Sequence, residues 1–135
     1  MTLVVDASVA VKWFFDETGH AAARALLDGN ETLIAPSIVL AEIANAAWKR
    51  CRRREVTRAN AEEVARLMAG AFSRIVPIEQ IAIPAARLSF DLNHPIYDCF
   101  YLALAARDRT PLVTADRRIL TMGKGRSIET ILLGN

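Results

Sequence analysis

The sequence predicts an α/β fold: one parallel sheet of about five short strands, sandwiched between helices. Two observations predict it. Short apolar runs recur at residues 2–5, 32–35, 75–78 and 112–114, each too short for a helix and each followed within two residues by a proline or a charged residue. Longer segments between them carry apolar residues at helical spacing, and strands that alternate with helices in a small domain pair in parallel. The 135 residues form a single expected domain, 1–135, large enough to bury about two-thirds of its unfolded surface.

Composition narrows the class. A hydrophobic fraction of 53% against 24% charged residues excludes a disordered chain. Cys51 and Cys99 stand far apart in helical patterns, with no CxxC and no histidine pairing, so a disulfide framework or zinc site is not expected. No stretch approaches the ~20 apolar residues of a membrane span, and Asp6 and Lys12 interrupt the apolar N-terminus. The expectation is a soluble, cytoplasmic protein without an export signal.

The elements follow in order. Residues 2–5 make a strand buried on both faces, ending on Asp6 where the chain turns into a helix. Residues 7–15 continue as that helix, with Val9, Val11, Trp13 and Phe14 apolar, and residues 16–19 break it. A small-residue helix follows over 21–27, stopped by Gly29-Asn30. Residues 32–35 are the second strand, closed by Pro36. Ser37 is then expected to cap a long helix reaching about Arg54. Thr57 opens another over 58–72, and residues 75–78 form a third strand whose Pro77 suits a sheet edge.

A helix over about 80–92 comes next, properly helical from Pro84. Asn93-His94-Pro95 breaks it before a nearly all-apolar helix over 96–107, with Tyr97 and Asp98 at its entrance. Residues 112–114 are the fourth strand, ending on Ala115-Asp116. A short helix over 117–122, a loop at Gly123-Lys124-Gly125 and a last strand over 127–133 complete the chain.

Four acids stand out. Asp6 and Asp116 each end a buried strand; Glu42 interrupts the apolar positions of the long helix; Asp98 lies in a first helical turn. Taken singly, each reads as a helix cap, a dipole partner or a surface charge. In an open α/β sheet, however, strand ends face the crevice where ligands bind. If the first and fourth strands are neighbours, all four converge there, and clustered carboxylates resist full ionisation unless a cation neutralises them. Hard oxygen donors favour Mg²⁺ or Mn²⁺. Ser8 and Thr114, each two residues from a strand-end acid, are placed to orient carboxylate or water. Asn45 and Lys49 share the helical stripe of Glu42.

Net charge is only +2, yet five of the six positions 49–54 are basic. Lys49, Arg50, Arg52, Arg53 and Arg54 read either as a solvated helix end complementing the dipole or as a contact for RNA phosphates.

These residues carry a resemblance. Leu3-Val4-Val5-Asp6-Ala7-Ser8, Glu42-x-x-Asn45, Tyr97-Asp98-Cys99-x-Tyr101-Leu102-Ala103 and Thr114-Ala115-Asp116 resemble the motifs of the PIN-domain family, and within it the VapC-type toxins of bacterial toxin–antitoxin pairs. The resemblance spans essentially the whole chain in motif order and spacing. It implies a sheet in the order 3-2-1-4-5, which makes strands one and four neighbours. It also implies an endoribonuclease in which Asp6, Glu42, Asp98 and Asp116 bind Mg²⁺ or Mn²⁺, with Ser8, Asn45 and Thr114 in support. The implied products carry a 5′-phosphate and a 3′-hydroxyl, and the implied partners are an RNA, a cognate antitoxin and a second copy of the chain. A non-catalytic PIN-like binding module and a housekeeping RNA-processing nuclease stand as alternatives. Trp13, Phe14, Trp48, Met68 and Phe72 are expected to leave apolar surface over for association. Neutral changes at Asp16 or Glu17, outside the motifs, are expected to leave activity within a few-fold.

Overall fold

The computed structural model describes residues 1–134; Asn135, the end of the expected domain, lies outside them. Five parallel strands, β1 (Thr2–Val5), β2 (Thr32–Pro36), β3 (Arg74–Val76), β4 (Leu112–Thr114) and β5 (Thr130–Leu132), make one sheet in the order β3-β2-β1-β4-β5. The pairs Val4↔Ile34 and Val5↔Val113 set the central register. Leu3, Val4, Val5, Leu33, Ile34, Ala35, Leu112 and Val113 are buried, as the apolar runs require. Connections run outward from β1 in one direction and from β4 in the other, so the topological switch point falls between these two strands.

Among the described residues, seven α-helices join them: α1 (Ala7–Ala10), α2 (His20–Asp28), α3 (Ile38–Arg52), α4 (Arg58–Leu67), α5 (Ala82–Leu92), α6 (Ile96–Asp108) and α7 (Arg117–Gly125). The central one is α6, whose residues 99–105 are all buried and which packs across β2, β1 and β4. That explains its uniformly apolar composition. A helix covered on several sides has no solvent face to keep polar. Helix α5 packs on α6, and α4 packs on α3.

Several boundaries differ from the sequence expectation, each for a physical reason. The helix expected over 7–15 is one α turn followed by a 3-10 turn, Val11–Trp13. The helix after Thr57 likewise tightens into a 3-10 turn at Met68–Ala71, while Thr57 caps it by accepting from the Asn60 amide at 3.1 Å. Ser37 does not cap α3: its hydroxyl accepts from the Ile78 amide at 3.1 Å, tying the exit of β2 to that of β3. Strand β3 stops at Val76, and residues 78–80 form a 3-10 turn. The tract Gly123-Lys124-Gly125 is helical, and β5 shrinks to Thr130–Leu132. Glycine at 123 permits this, since a Cβ there would collide with Thr130 Oγ1.

The expected apolar surplus divides. Trp13 and Phe72 are buried, their rings 5.2 Å apart, and Trp13 Nε1 donates to the Ala23 carbonyl at 2.8 Å. Phe14 and Met68 are partly buried against the core, and only Trp48 of the five is largely exposed, at 55%. Leu67, Ile83, Phe90 and Tyr97, outside the five expected to leave apolar surface over, are exposed as well.

Candidate active site

The switch point between β1 and β4 is where the acids gather. Asp6 follows the last residue of β1 and is 3% exposed. Its Oδ2 accepts from Ser8 Oγ at 2.6 Å and from Thr114 Oγ1 at 2.8 Å. Both hydroxyls also receive backbone amides of the β4 exit: Ser8 Oγ from Ala115 at 2.9 Å, Thr114 Oγ1 from Asp116 at 3.0 Å. Hydrogen bonds thus clasp the ends of two neighbouring strands around one carboxylate.

Glu42 reaches the same place from the second turn of α3. Its Oε1 accepts from the hydroxyl of Tyr101 at 2.6 Å, and Tyr101 is wholly buried on α6. Asp98, in the first turn of α6, completes a trio. Its Oδ2 lies 2.7 Å from His94 Nε2, and since a carboxylate can only accept, the imidazole presents its proton there.

The electrostatics bear the imprint of this crowding. Burial pushes the Asp6 carboxyl up to about 6; the Ser8 and Thr114 hydrogen bonds pull it back, and the Asp98 charge adds to the rise. Burial likewise raises Glu42 to about 7, opposed by the Tyr101 hydrogen bond and reinforced by the charges of Asp6 and Asp98. Tyr101 itself is held well above the ordinary phenol range, by burial first and then by the charges of Glu42 and Asp6. Asp6, Glu42 and Asp98 therefore feel one another directly.

Asp116 is different. It caps α7, its Oδ1 accepting from the Arg118 amide at 2.8 Å, while Arg118 Nη2 reaches Oδ2 at 3.1 Å. Burial raises its carboxyl, but the Arg118 hydrogen bonds and charge outweigh that and hold it below the usual range. The fourth acid joins the others through the Thr114 hydroxyl, with its carboxylate turned to Arg118.

Beside the trio opens a cleft of about 500 Å³, lined by Ser8, Lys12, Glu17, Glu42, Asn45 and Lys49 among others. Asn45 and Lys49 thus face the same space as Glu42. The rest of the basic run is drawn elsewhere. Arg50 pairs with Glu17 and Glu55, its guanidinium 4.5 Å above the Phe15 ring. Arg52 lies 5.5 Å over the Trp48 ring, and Arg53 pairs with Glu55 at 3.1 Å. Arg54 sits in the left-handed region at φ 61°. Glu17 also holds Lys12 at 3.3 Å, so this acid, unlike the exposed Asp16, is wired into the cleft wall.

Tyr101 and His94 were missed as site residues by sequence reasoning. Tyr101 stands inside the third motif, three residues after Asp98, and that spacing was the available signal.

Among the described residues, no three His, Cys, Asp or Glu side chains are drawn close enough to ligate one ion as they stand. The donor chemistry nevertheless fits a hard divalent cation. Three interacting carboxylates supply only oxygen, and two are raised by burial and by each other's charge, which a cation would relieve.

A PIN-domain family model matches residues 3–125. The chain belongs to the PIN-domain family. Among solved structures, PAE2754 from Pyrobaculum aerophilum is 22% identical with a TM-score of 0.72, covering 98% of this chain and 84% of that one. The sarcin-ricin loop cleaving toxin VapC20 of Mycobacterium tuberculosis is 15% identical with a TM-score of 0.72, over 90% of this chain and 95% of that one. VapBC2 from Rickettsia felis, bound to a fragment of its promoter DNA, is 15% identical with a TM-score of 0.69, over 96% and 97%. At these identities the likeness is one of fold. No curated protein matches the sequence. No helix among the described residues is long and apolar enough to cross a membrane. Within this PIN domain, the acids of the four motifs lie at or beside the carboxyl ends of β1 and β4.

Proposed function

We propose that this PIN domain is a divalent-metal-dependent endoribonuclease serving as the toxin of a toxin–antitoxin pair. The observation that carries the reading is the trio Asp6, Glu42 and Asp98, three acids acting on one another at the switch point beside an open cleft.

In this reading Asp6, Glu42, Asp98 and Asp116 hold Mg²⁺ or Mn²⁺, Asp116 after release from Arg118. When bound, the cation supplies the positive charge that activates water at neutral pH and offsets charge on the scissile phosphate. Ser8 and Thr114 hold Asp6 in place, so the strand-end carboxylate is set before substrate arrives. Lys49 and Asn45, on the cleft wall beside Glu42, are placed to meet a phosphate and a ribose or base edge. Unstacked loop positions are where RNA is read and cut, so the substrate class is a structured RNA with an exposed loop. The likeness to VapC20, a toxin that cleaves the sarcin-ricin loop, supports that class.

The partner reading rests on the neighbours and on charge. VapBC2 and a toxin-antitoxin complex from Klebsiella pneumoniae share the fold. An antitoxin arginine or lysine entering the cleft would neutralise the acids and exclude substrate together. The exposed Ile83, Phe90 and Tyr97 on α5 and the start of α6 supply an apolar face for a homodimer.

Purified protein with total RNA, with Mg²⁺, with Mn²⁺ or with EDTA, tests the activity. Cleavage that persists in EDTA, or no cleavage with either cation, overturns it. Growth arrest on expression, relieved by the product of an adjacent gene, tests the toxin role. Nuclease activity without arrest points to a housekeeping enzyme instead.

A further inference from the structure

Asp98 and Tyr101, three residues apart, share one stripe of α6, and His94 lies in the turn just before that helix. Asp98 is an acid of the site. Its two flanking residues each grip a carboxylate: His94 grips Asp98 itself at 2.7 Å, and Tyr101 grips Glu42 on the facing helix at 2.6 Å. In both cases one oxygen is taken. The other, Asp98 Oδ1 and Glu42 Oε2, accepts no hydrogen bond among the described residues.

Both grips are themselves anchored. Tyr101 is wholly buried in the core, so its hydroxyl has little freedom to leave Glu42. His94 sits in a tight turn that Asn93 enters at φ 49°. Ser89 Oγ donates to the His94 carbonyl at 2.5 Å, and the His94 amide donates back to the Ser89 carbonyl at 3.1 Å. A carboxylate fixed through one oxygen is a preset ligand through the other, whereas a freely rotating one must be ordered when the ion binds.

We infer that Tyr101 and His94 are positioning residues, holding Glu42 and Asp98 by one oxygen each so that the other is set for a divalent cation. The inference rests on the reading of these acids as metal ligands. A purely structural hydrogen bond would support folding and leave ion affinity alone; a positioning bond does the reverse.

The test is Mn²⁺ binding measured by calorimetry on the intact chain, together with melting of the metal-free protein. Tyr101→Phe and His94→Leu should each weaken Mn²⁺ binding by about tenfold or more, with metal-free melting within a few degrees of wild type. His94→Gln, which keeps a donor, should recover most of the loss. In cleavage assays kcat should fall more than KM changes. Wild-type Mn²⁺ affinity in both Tyr101→Phe and His94→Leu overturns the positioning roles and leaves the metal site standing. Equal losses in His94→Gln and His94→Leu overturn the role of His94. Should Tyr101→Phe fail to fold, Tyr101 is a structural residue and the His94 pair decides the remainder. A wild-type protein that binds no Mn²⁺ overturns the metal reading and this inference with it.

Discussion

Thr114 Oγ1 donates a 2.8 Å hydrogen bond to Asp6 Oδ2 and accepts one of 3.0 Å from the amide of Asp116. One buried hydroxyl therefore joins two acids of the candidate site, across neighbouring strands. Thr114→Val preserves the shape but leaves the Asp116 amide without its acceptor and Asp6 with one donor fewer. The expected loss of stability is about 1–3 kcal/mol, the cost of stranding a buried polar group. Nuclease activity should fall at least about tenfold, and Thr114→Ser should keep most of both. Urea unfolding and RNA cleavage check the two effects. Equal behaviour of the Val and Ser variants would show the hydroxyl to be idle.

Removing single acids separates chemistry from folding. Asp6→Asn and Asp98→Asn should abolish Mg²⁺-dependent cleavage and leave the fold intact, since each relieves repulsion within the trio. The control is Asp16→Asn, an exposed loop acid expected to stay within a few-fold of wild type. Glu17 is unsuitable as a second control because it holds Lys12 and Arg50 at the cleft wall. Equal loss at Asp16 would mean that other carboxylates carry the chemistry.

The pH dependence has a definite sign. Asp6 at about 6 and Glu42 at about 7 bind protons more tightly folded than unfolded. Their contribution favours the native state at low pH and is lost as pH rises through those values. The metal-free protein should therefore melt at its highest temperature at about pH 4, near the unfolded carboxyl values, and progressively lower towards pH 8. Excess Mg²⁺ at the upper pH should restore the loss, because the ion replaces the protons. Further acidification runs the other way. Burial opposes the shift at Asp108 and Asp116, but their arginine partners win and hold both carboxyls low, so protonating them removes stabilising ion pairs. A flat profile from about pH 5 to pH 8 would contradict the buried, mutually repelling acids.

The basic run splits into parts that differ in test. Replacing Arg52, Arg53 and Arg54 by Gln should flatten the salt dependence of RNA binding, by up to ~0.9 in log–log slope for each phosphate that is no longer neutralised. Lys49→Gln, on the cleft wall, should raise KM with the fold intact. Arg50→Gln should instead destabilise, since this side chain bridges Glu17 and Glu55 over Phe15. An unchanged slope in the triple variant returns positions 52–54 to a solvated helix end.

Association should be visible in light scattering as a dimer at tens of micromolar. Ile83→Lys with Phe90→Lys, seven residues apart on one face of α5, should yield a monomer. Phe90 is 85% exposed in the single chain, so changing it leaves the core untouched. A monomeric wild type would remove the dimer claim.

The order of strands and helices was legible along the chain, and the four acids could be picked out as candidates, because burial and capping leave local signals. A short, β-branched apolar run such as Leu3-Val4-Val5, closed at once by an acid, reads as a buried strand, and an acid ending it stands at the crevice. How each acid is held was not legible, because that depends on partners remote in the chain. Tyr101 lies 59 residues from Glu42, and Thr114 lies 108 from Asp6; no periodicity or motif spacing records such a contact. The folded arrangement also decided between two uses of charge. Asp116, equal to Asp6 on paper, turns to Arg118 because the helix it caps places that guanidinium beside it. Arg50, one of five basic residues in the run, leaves the surface cluster because Glu17 and the Phe15 ring meet it there. Local chemistry marked the candidates; packing between distant elements chose their partners, since only the folded chain brings those surfaces together.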